Sequence, residues 1–105
     1  MIYRHVTAAA YAPLVLESAG FIDVREPHEW EISRIDGARL IPLHRLESAL
    51  QSIDRSAPVA VYCKVGTRSA LAVRGLLAAG YRQVWSVTGG IVRWSREVDD
   101  SVAEY

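Results

Sequence analysis

Apolar residues along this chain fall into short unbroken runs, separated by stretches with a helical repeat. Pro58–Tyr62 (PVAVY) is the clearest run: short, β-branched and without polar alternation. That pattern predicts a strand covered on both faces, as in a parallel sheet. Phe21–Val24 and Gln83–Val87 predict two more strands, and Leu40-Ile41-Pro42 a short one closed by proline. Leu43, Leu46, Leu50 and Ile53 recur at spacings of three, four and three, which marks one face of a helix over Leu43 to Ile53. Arg68 to Ala79 predicts a second helix, stopped by Gly80. Gly89-Gly90 is read as a turn before a last helix from Ile91 to about Glu97. Thr7 is an N-cap candidate for an Ala-rich helix that either starts near Pro13 or is irregular before it, and that ends at Gly20. Pro27 suits the first position of a helical turn reaching about Glu31, and Ile35-Asp36-Gly37-Ala38 is a turn signal.

Strands therefore alternate with helices. That order predicts an α/β domain with a central, mainly parallel sheet and helices on both faces. The 105 residues suit one domain, with about 98–105, including Asp99 and Asp100, expected as a weakly ordered acidic tail. A chain of this size buries roughly 65% of its unfolded surface, enough for a core without disulfides or metal.

Composition narrows the chemistry. Twelve basic and twelve acidic side chains cancel, so no global field points to nucleic acid or to a membrane. Local positive charge still leaves room for a small anionic substrate. His5, His28 and His44 are scattered and no Cys/His cluster can be drawn, so neither metal nor other cofactor is expected. Cys63 is the only cysteine; a lone free thiol fits a reducing, cytoplasmic setting. The apolar run Ala8 to Leu16 is too short to span a membrane, and Pro13 and Glu17 favour a helix of the fold over a leader.

The informative stretch is Cys63-Lys64-Val65-Gly66-Thr67-Arg68-Ser69. It joins the end of a buried strand to the start of a helix, the edge where open α/β sheets bind ligands. A lone cysteine is ordinarily a small buried hydrophobe. This one starts a tight loop whose successive backbone N–H groups form a nest for negative charge. The helix start adds free amides and a positive dipole end, Gly66 lets the loop curl, and Lys64 and Arg68 add full charges. Together they favour a thiolate, so Cys63 is expected to act as a nucleophile near neutral pH. Ser69 either hydrogen-bonds that sulfur or supports the first helical turn. Asp23 and Arg25 flank a strand end and either line the site or form a structural ion pair, which is the favoured reading for both; of the two, Arg25 is the better candidate for substrate contact. Trp30, Trp85 and Trp94 are assigned to packing.

The loop resembles the active-site loop of the rhodanese superfamily, where the catalytic cysteine is followed by four residues and then arginine. Phe21-Ile22-Asp23-Val24-Arg25-Glu26-Pro27-His28-Glu29-Trp30 is similar to that family's first motif, and Ile35-Asp36-Gly37-Ala38 leading to Ile41-Pro42 to its second. Gly80-Tyr81 and Val87-Thr88-Gly89-Gly90-Ile91-Val92-Arg93-Trp94 are similar to its closing motif. The resemblance covers roughly residues 5–97. Ser33-Arg34 and Leu40 depart from residues the family often has there, away from the loop. What it implies is a sulfurtransferase that moves sulfane sulfur from a donor such as thiosulfate, through a Cys63 persulfide, to cyanide, a small thiol or a sulfur-carrier protein. The same resemblance gives Lys64, Val65, Gly66, Thr67 and Arg68 as the loop that holds the persulfide. Related phosphatases have one more loop residue, so the four-residue spacing here favours sulfur over phosphate; a non-catalytic binding module is the other alternative. Val61 to Tyr105 is especially similar to the rhodanese domains of ubiquitin-activating-like adenylyltransferases. That similarity implies a sulfur-carrier or adenylyltransferase partner.

Overall fold

The computed structural model describes the backbone of residues 2–7 and residues 20–105 in full. Among the described residues, five strands form one all-parallel sheet: β1 (Ile2–Thr7), β2 (Gly20–Asp23), β3 (Arg39–Leu40), β4 (Val59–Tyr62) and β5 (Gln83–Thr88), in the order β1-β5-β4-β2-β3. The described α-helices are α1 (Pro27–Ile32), α2 (Leu46–Ala49), α3 (Thr67–Ala78) and α4 (Gly90–Glu97). The helix expected after Thr7 lies on residues outside the described ones.

The central strand β4 is buried at every position. Its side chains alternate between two cores, as pleating requires. Val59 and Val61 pack with Ile22, Leu46, Ala72, Val73 and Leu76 under α2 and α3. Ala60 and Tyr62 pack with Phe21, Ile91 and Trp94 under α4. Helices thus cover both faces, and the uniformly apolar PVAVY run is explained. Trp94 is a core residue as expected, whereas Trp85 and Trp30 are half-buried.

Helix α3 buries Ser69, Ala72, Val73 and Leu76, the i, i+3, i+4, i+7 stripe of an amphipathic helix. It ends in a Schellman motif. Gly80 is left-handed at φ +97°, its N–H bonds Leu77 O at 3.1 Å, and Tyr81 N–H bonds Leu76 O at 3.0 Å.

Two departures from the sequence pattern have physical causes. The expected helix over Leu43 to Ile53 is broken into a 3₁₀ turn (Leu43–Arg45), one turn of α2 and a second 3₁₀ turn (Leu50–Ser52). The Tyr81 hydroxyl meets the carbonyls of Leu50 at 2.6 Å and Ile53 at 2.8 Å, a side-chain partner that lets the helix close tightly at its end. The second departure is β1, a strand with no counterpart in the expected elements. It pairs with β5 alone, at the sheet edge, and Arg4 and His5 interrupt its apolar pattern.

Because all strands run the same way, the carboxyl ends of β2, β3, β4 and β5 meet along one edge. Backbone bonds continue past the strand ends there. Val24 N–H bonds Tyr62 O at 3.0 Å, Ile41 N–H bonds Asp23 O at 2.9 Å and Leu43 N–H bonds Val24 O at 3.1 Å. The exits of three strands are therefore tied together just where Cys63 begins its loop.

Candidate active site

Cys63 is the first residue beyond β4 and is only 1% exposed. Its sulfur accepts the Gly66 N–H at 3.0 Å and the Ser69 N–H at 3.4 Å. Both donors belong to the start of α3, where the first amides lack intrahelical partners. The sulfur thus caps the helix, and the dipole end there favours negative charge on it. Gly66 makes this possible: it sits at φ +115°, a conformation that L side chains rarely adopt.

The loop's carbonyls are taken up on the other side. Ile91 N–H bonds Cys63 O at 2.9 Å and Val92 N–H bonds Lys64 O at 3.2 Å, both from the first turn of α4. Gly90 permits this contact. A Cβ there would lie 2.3 Å from Cys63 O and 2.4 Å from Lys64 O, inside contact distance of backbone that is itself pinned. The Gly89-Gly90 pair, read from sequence only as a turn, is the seat on which the cysteine loop rests.

Ser69 touches both the sulfur and the first turn of α3. Its amide reaches the sulfur, the thiol donates to its hydroxyl at 3.7 Å, and that hydroxyl bonds Gly66 O at 3.1 Å. It also lies 2.8 Å from the hydroxyl of Ser86 on β5. Ser86 was not singled out, although a buried serine within an apolar strand is a readable signal.

The two arginines differ sharply. Arg25 is wholly buried. Its Nε and Nη2 grip both oxygens of Asp23 at 2.7–3.0 Å, and Nη2 also bonds Ser33 O at 2.6 Å. Nη1 has no partner. Arg25 thus forms the ion pair favoured from the sequence; with no exposed surface it is not placed for substrate contact, and it holds Asp23 and the Ser33 turn in place. Arg68 is one-third exposed and pairs with Glu29 through two bonds, Nη1 to Oε1 at 2.7 Å and Nη2 to Oε2 at 3.0 Å. That guanidinium, helped by the Glu26 amide, holds the Glu29 carboxyl down to about 2. Arg68 is in turn raised, first by its bond to Glu29. Glu29 is a functional candidate that the sequence alone leaves without a role. Its signal was the Glu26-Pro27-His28-Glu29 helix start, where Glu29 Oε1 accepts the Glu26 N–H at 2.9 Å.

Lys64 carries its ammonium 4.8 Å from the ring centre of Tyr105. Glu104 bonds Arg96 at 2.9 Å, and Ser33 Oγ bonds Ala103 O at 3.1 Å, so the segment expected as a solvated tail makes defined contacts. Val65, 59% exposed, and Thr67, also exposed, lie on the outer side of the loop. A cleft of about 540 Å³ lined by Ser33, Asp36, Trp94 and Asp99 includes no residue of the loop. No group of metal-ligating side chains occurs among the described residues. Among them, too, no helix is long and apolar enough to cross a membrane.

A buried sulfur fed by two amides at a helix start can hold negative charge and present it to one small partner. Comparison with known proteins points the same way. MoeZ of Mycobacterium tuberculosis, a probable adenylyltransferase/sulfurtransferase, is 38% identical over 86 residues, 80% of this chain and 22% of that protein. The chain thus spans about a fifth of that relative. The thiosulfate sulfurtransferase GlpE of Pseudomonas putida is 33% identical over 78 residues, 74% of this chain and 71% of that one. A rhodanese-related protein of Thermoplasma volcanium has a crystal structure that superposes with a TM-score of 0.84 at 32% identity, covering 98% of this chain and all of that one. The Rhodanese-like domain family matches residues 7–97, and this chain belongs to it.

Proposed function

We propose that the protein is a rhodanese-type sulfurtransferase that carries sulfane sulfur on Cys63. The observation that carries this reading is the sulfur held by the Gly66 and Ser69 amides inside a four-residue loop. The Cys63 thiolate attacks the outer sulfur of a donor such as thiosulfate. A sulfur–sulfur bond to Cys63 forms, the donor's own breaks, and sulfite leaves with the bonding electrons. The cysteine persulfide carries its charge on the outer sulfur, one bond beyond the Sγ that the Gly66 and Ser69 amides hold, and the loop of residues 64–68 is the part of the chain that meets it. A nucleophile then takes the terminal sulfur and the Cys63 thiolate is regenerated. Cyanide yields thiocyanate in an assay; a thiol or sulfur-carrier protein is the cellular acceptor. Because Cys63 is the only cysteine, the acceptor comes from outside the chain. A reactive thiol that must stay reduced supports a cytoplasmic setting, and relatives of the adenylyltransferase/sulfurtransferase kind support a protein acceptor.

The test is steady-state turnover of thiosulfate and cyanide. The expected result is thiocyanate with ping-pong kinetics, abolished by Cys63→Ser. Hydrolysis of an aryl phosphate without thiocyanate would replace this reading with a phosphatase. Neither product, across several sulfane donors, would leave a binding module.

A further inference from the structure

The charges around the loop are matched in a way that bears on what Cys63 accepts. Arg68 stands where the family's loop ends in arginine, yet its charge is not free. Both terminal nitrogens are bound by Glu29, which comes from α1, 39 residues earlier. A second pair, the fully buried Asp23 with Arg25, acts on it electrostatically. Each pair feels the other: Arg25 acts on Glu29, and Asp23 on Arg68. Two acids and two arginines therefore sum to zero at the strand ends. Of the loop's own cations this leaves Lys64, which lies over Tyr105.

We propose that Glu29 is a specificity-determining residue of the Cys63 site: by cancelling the charge of Arg68, it sets how strongly the site favours anionic over uncharged partners for the sulfur. The proposal deepens the sulfurtransferase reading and rests on it for its biological meaning. Its physical content needs only that Cys63 be the reacting sulfur. Without the carboxylate, a dianion nearing Cys63 meets two cations in place of one cation and a neutral pair. With it, the site tolerates weakly charged sulfur donors and acceptors. The low ionisation range of Glu29 keeps both charges present across ordinary pH.

Glu29 offers a clean substitution. Its other bond, from the Glu26 N–H to Oε1, can be kept by the amide oxygen of glutamine, so Glu29→Gln removes charge while retaining the helix start. Glu29→Gln, Arg68→Met and the double variant are compared with the parent protein. The readout is the rate at which Cys63 is alkylated by iodoacetate, an anion, divided by the rate with uncharged iodoacetamide. The thiolate fraction affects both reagents alike and cancels in the ratio.

The ratio is expected to rise about 3- to 10-fold in Glu29→Gln, as for one unit charge acting over several ångströms in a partly hydrated site. It falls by a similar factor in Arg68→Met, where Glu29 is left unbalanced. It returns close to the parent value in the double variant, and the differences shrink as salt is added. An equal ratio in all four folded proteins, or a thiol that neither reagent reaches, overturns the proposal; the equal ratio would leave the pair a purely mechanical tie. If Glu29→Gln does not fold, the Arg68→Met arm decides alone. Failure of the sulfurtransferase reading would instead appear as absent thiocyanate, with the alkylation ratios unaffected.

Discussion

Arg25 and Arg68 both pair with a carboxylate near the same sheet edge, and the two pairs have different physical consequences. Asp23 and Arg25 are two residues apart and entirely enclosed, with Asp23 also accepting the Arg25 backbone N–H at 2.9 Å. Glu29 and Arg68 come from elements on either side of the loop, and the guanidinium keeps a third of its surface open. Desolvating a pair costs most when nothing of it stays wet. The enclosed pair is thus a structural commitment at the end of β2. The half-open pair can change its partners' charge without dismantling the core. An arginine near a strand end is open to a ligand only where, as at Arg68, part of its guanidinium stays exposed.

That contrast can be broken in order of effect. Arg25→Met strands the Asp23 carboxylate in the core and is expected to cost about 3–5 kcal/mol in urea unfolding. Adding Asp23→Asn to it should recover part of the loss; no recovery would mean that the arginine acts by packing alone. Arg68→Met should cost less, about 1–3 kcal/mol, since a third of the guanidinium is in water. Its kcat/KM for thiosulfate should nevertheless fall about 10-fold, because an unbalanced carboxylate then faces the anionic donor. Equal stability losses for the two arginines would erase the distinction.

A pH series sharpens it. The Glu29 carboxyl is lowered from 4.5 to about 2, so its contribution to stability is complete above 4.5 and is lost as the pH falls toward 2. With screening at the exposed side of Arg68, the contribution is about 1–3 kcal/mol. Glu29→Gln should be less stable than the parent at neutral pH and approach it near pH 2; a constant gap would show that the bond carries no net charge effect. The smallest effect is expected at Ser69→Ala. Removing the hydroxyl costs about 1 kcal/mol and leaves the amide on the sulfur, so turnover should slow by only a few-fold. Loss of all turnover would assign the hydroxyl a direct part in the reaction.

What the sequence disclosed followed from locality. The PVAVY strand, the glycine at position 66 and the helix after it are each written in a few adjacent residues, so the Cys63 loop could be placed before any fold was known. Side-chain partners far apart in the chain could not. Nothing adjacent to Arg68 announces Glu29, and nothing near Cys63 announces that Gly90 must lack a side chain to let the loop close. The same holds for the Tyr81 hydroxyl that ends the helical stretch before Ile53. The edge strand β1 escaped for a local reason, since Arg4 and His5 interrupt its apolar pattern. For Arg25 the flanking positions point to the pair with Asp23, but they cannot tell a buried pair from an open one.

The account's central claim is that Cys63 carries a transferable sulfur, and intact-mass spectrometry addresses it most directly. After incubation with thiosulfate, the protein is predicted to gain the mass of one sulfur atom, to lose it on addition of cyanide, and to gain nothing as the Cys63→Ser variant. A parent protein whose mass stays unchanged with thiosulfate and with other sulfane donors, while its thiol remains free to alkylation, would contradict it.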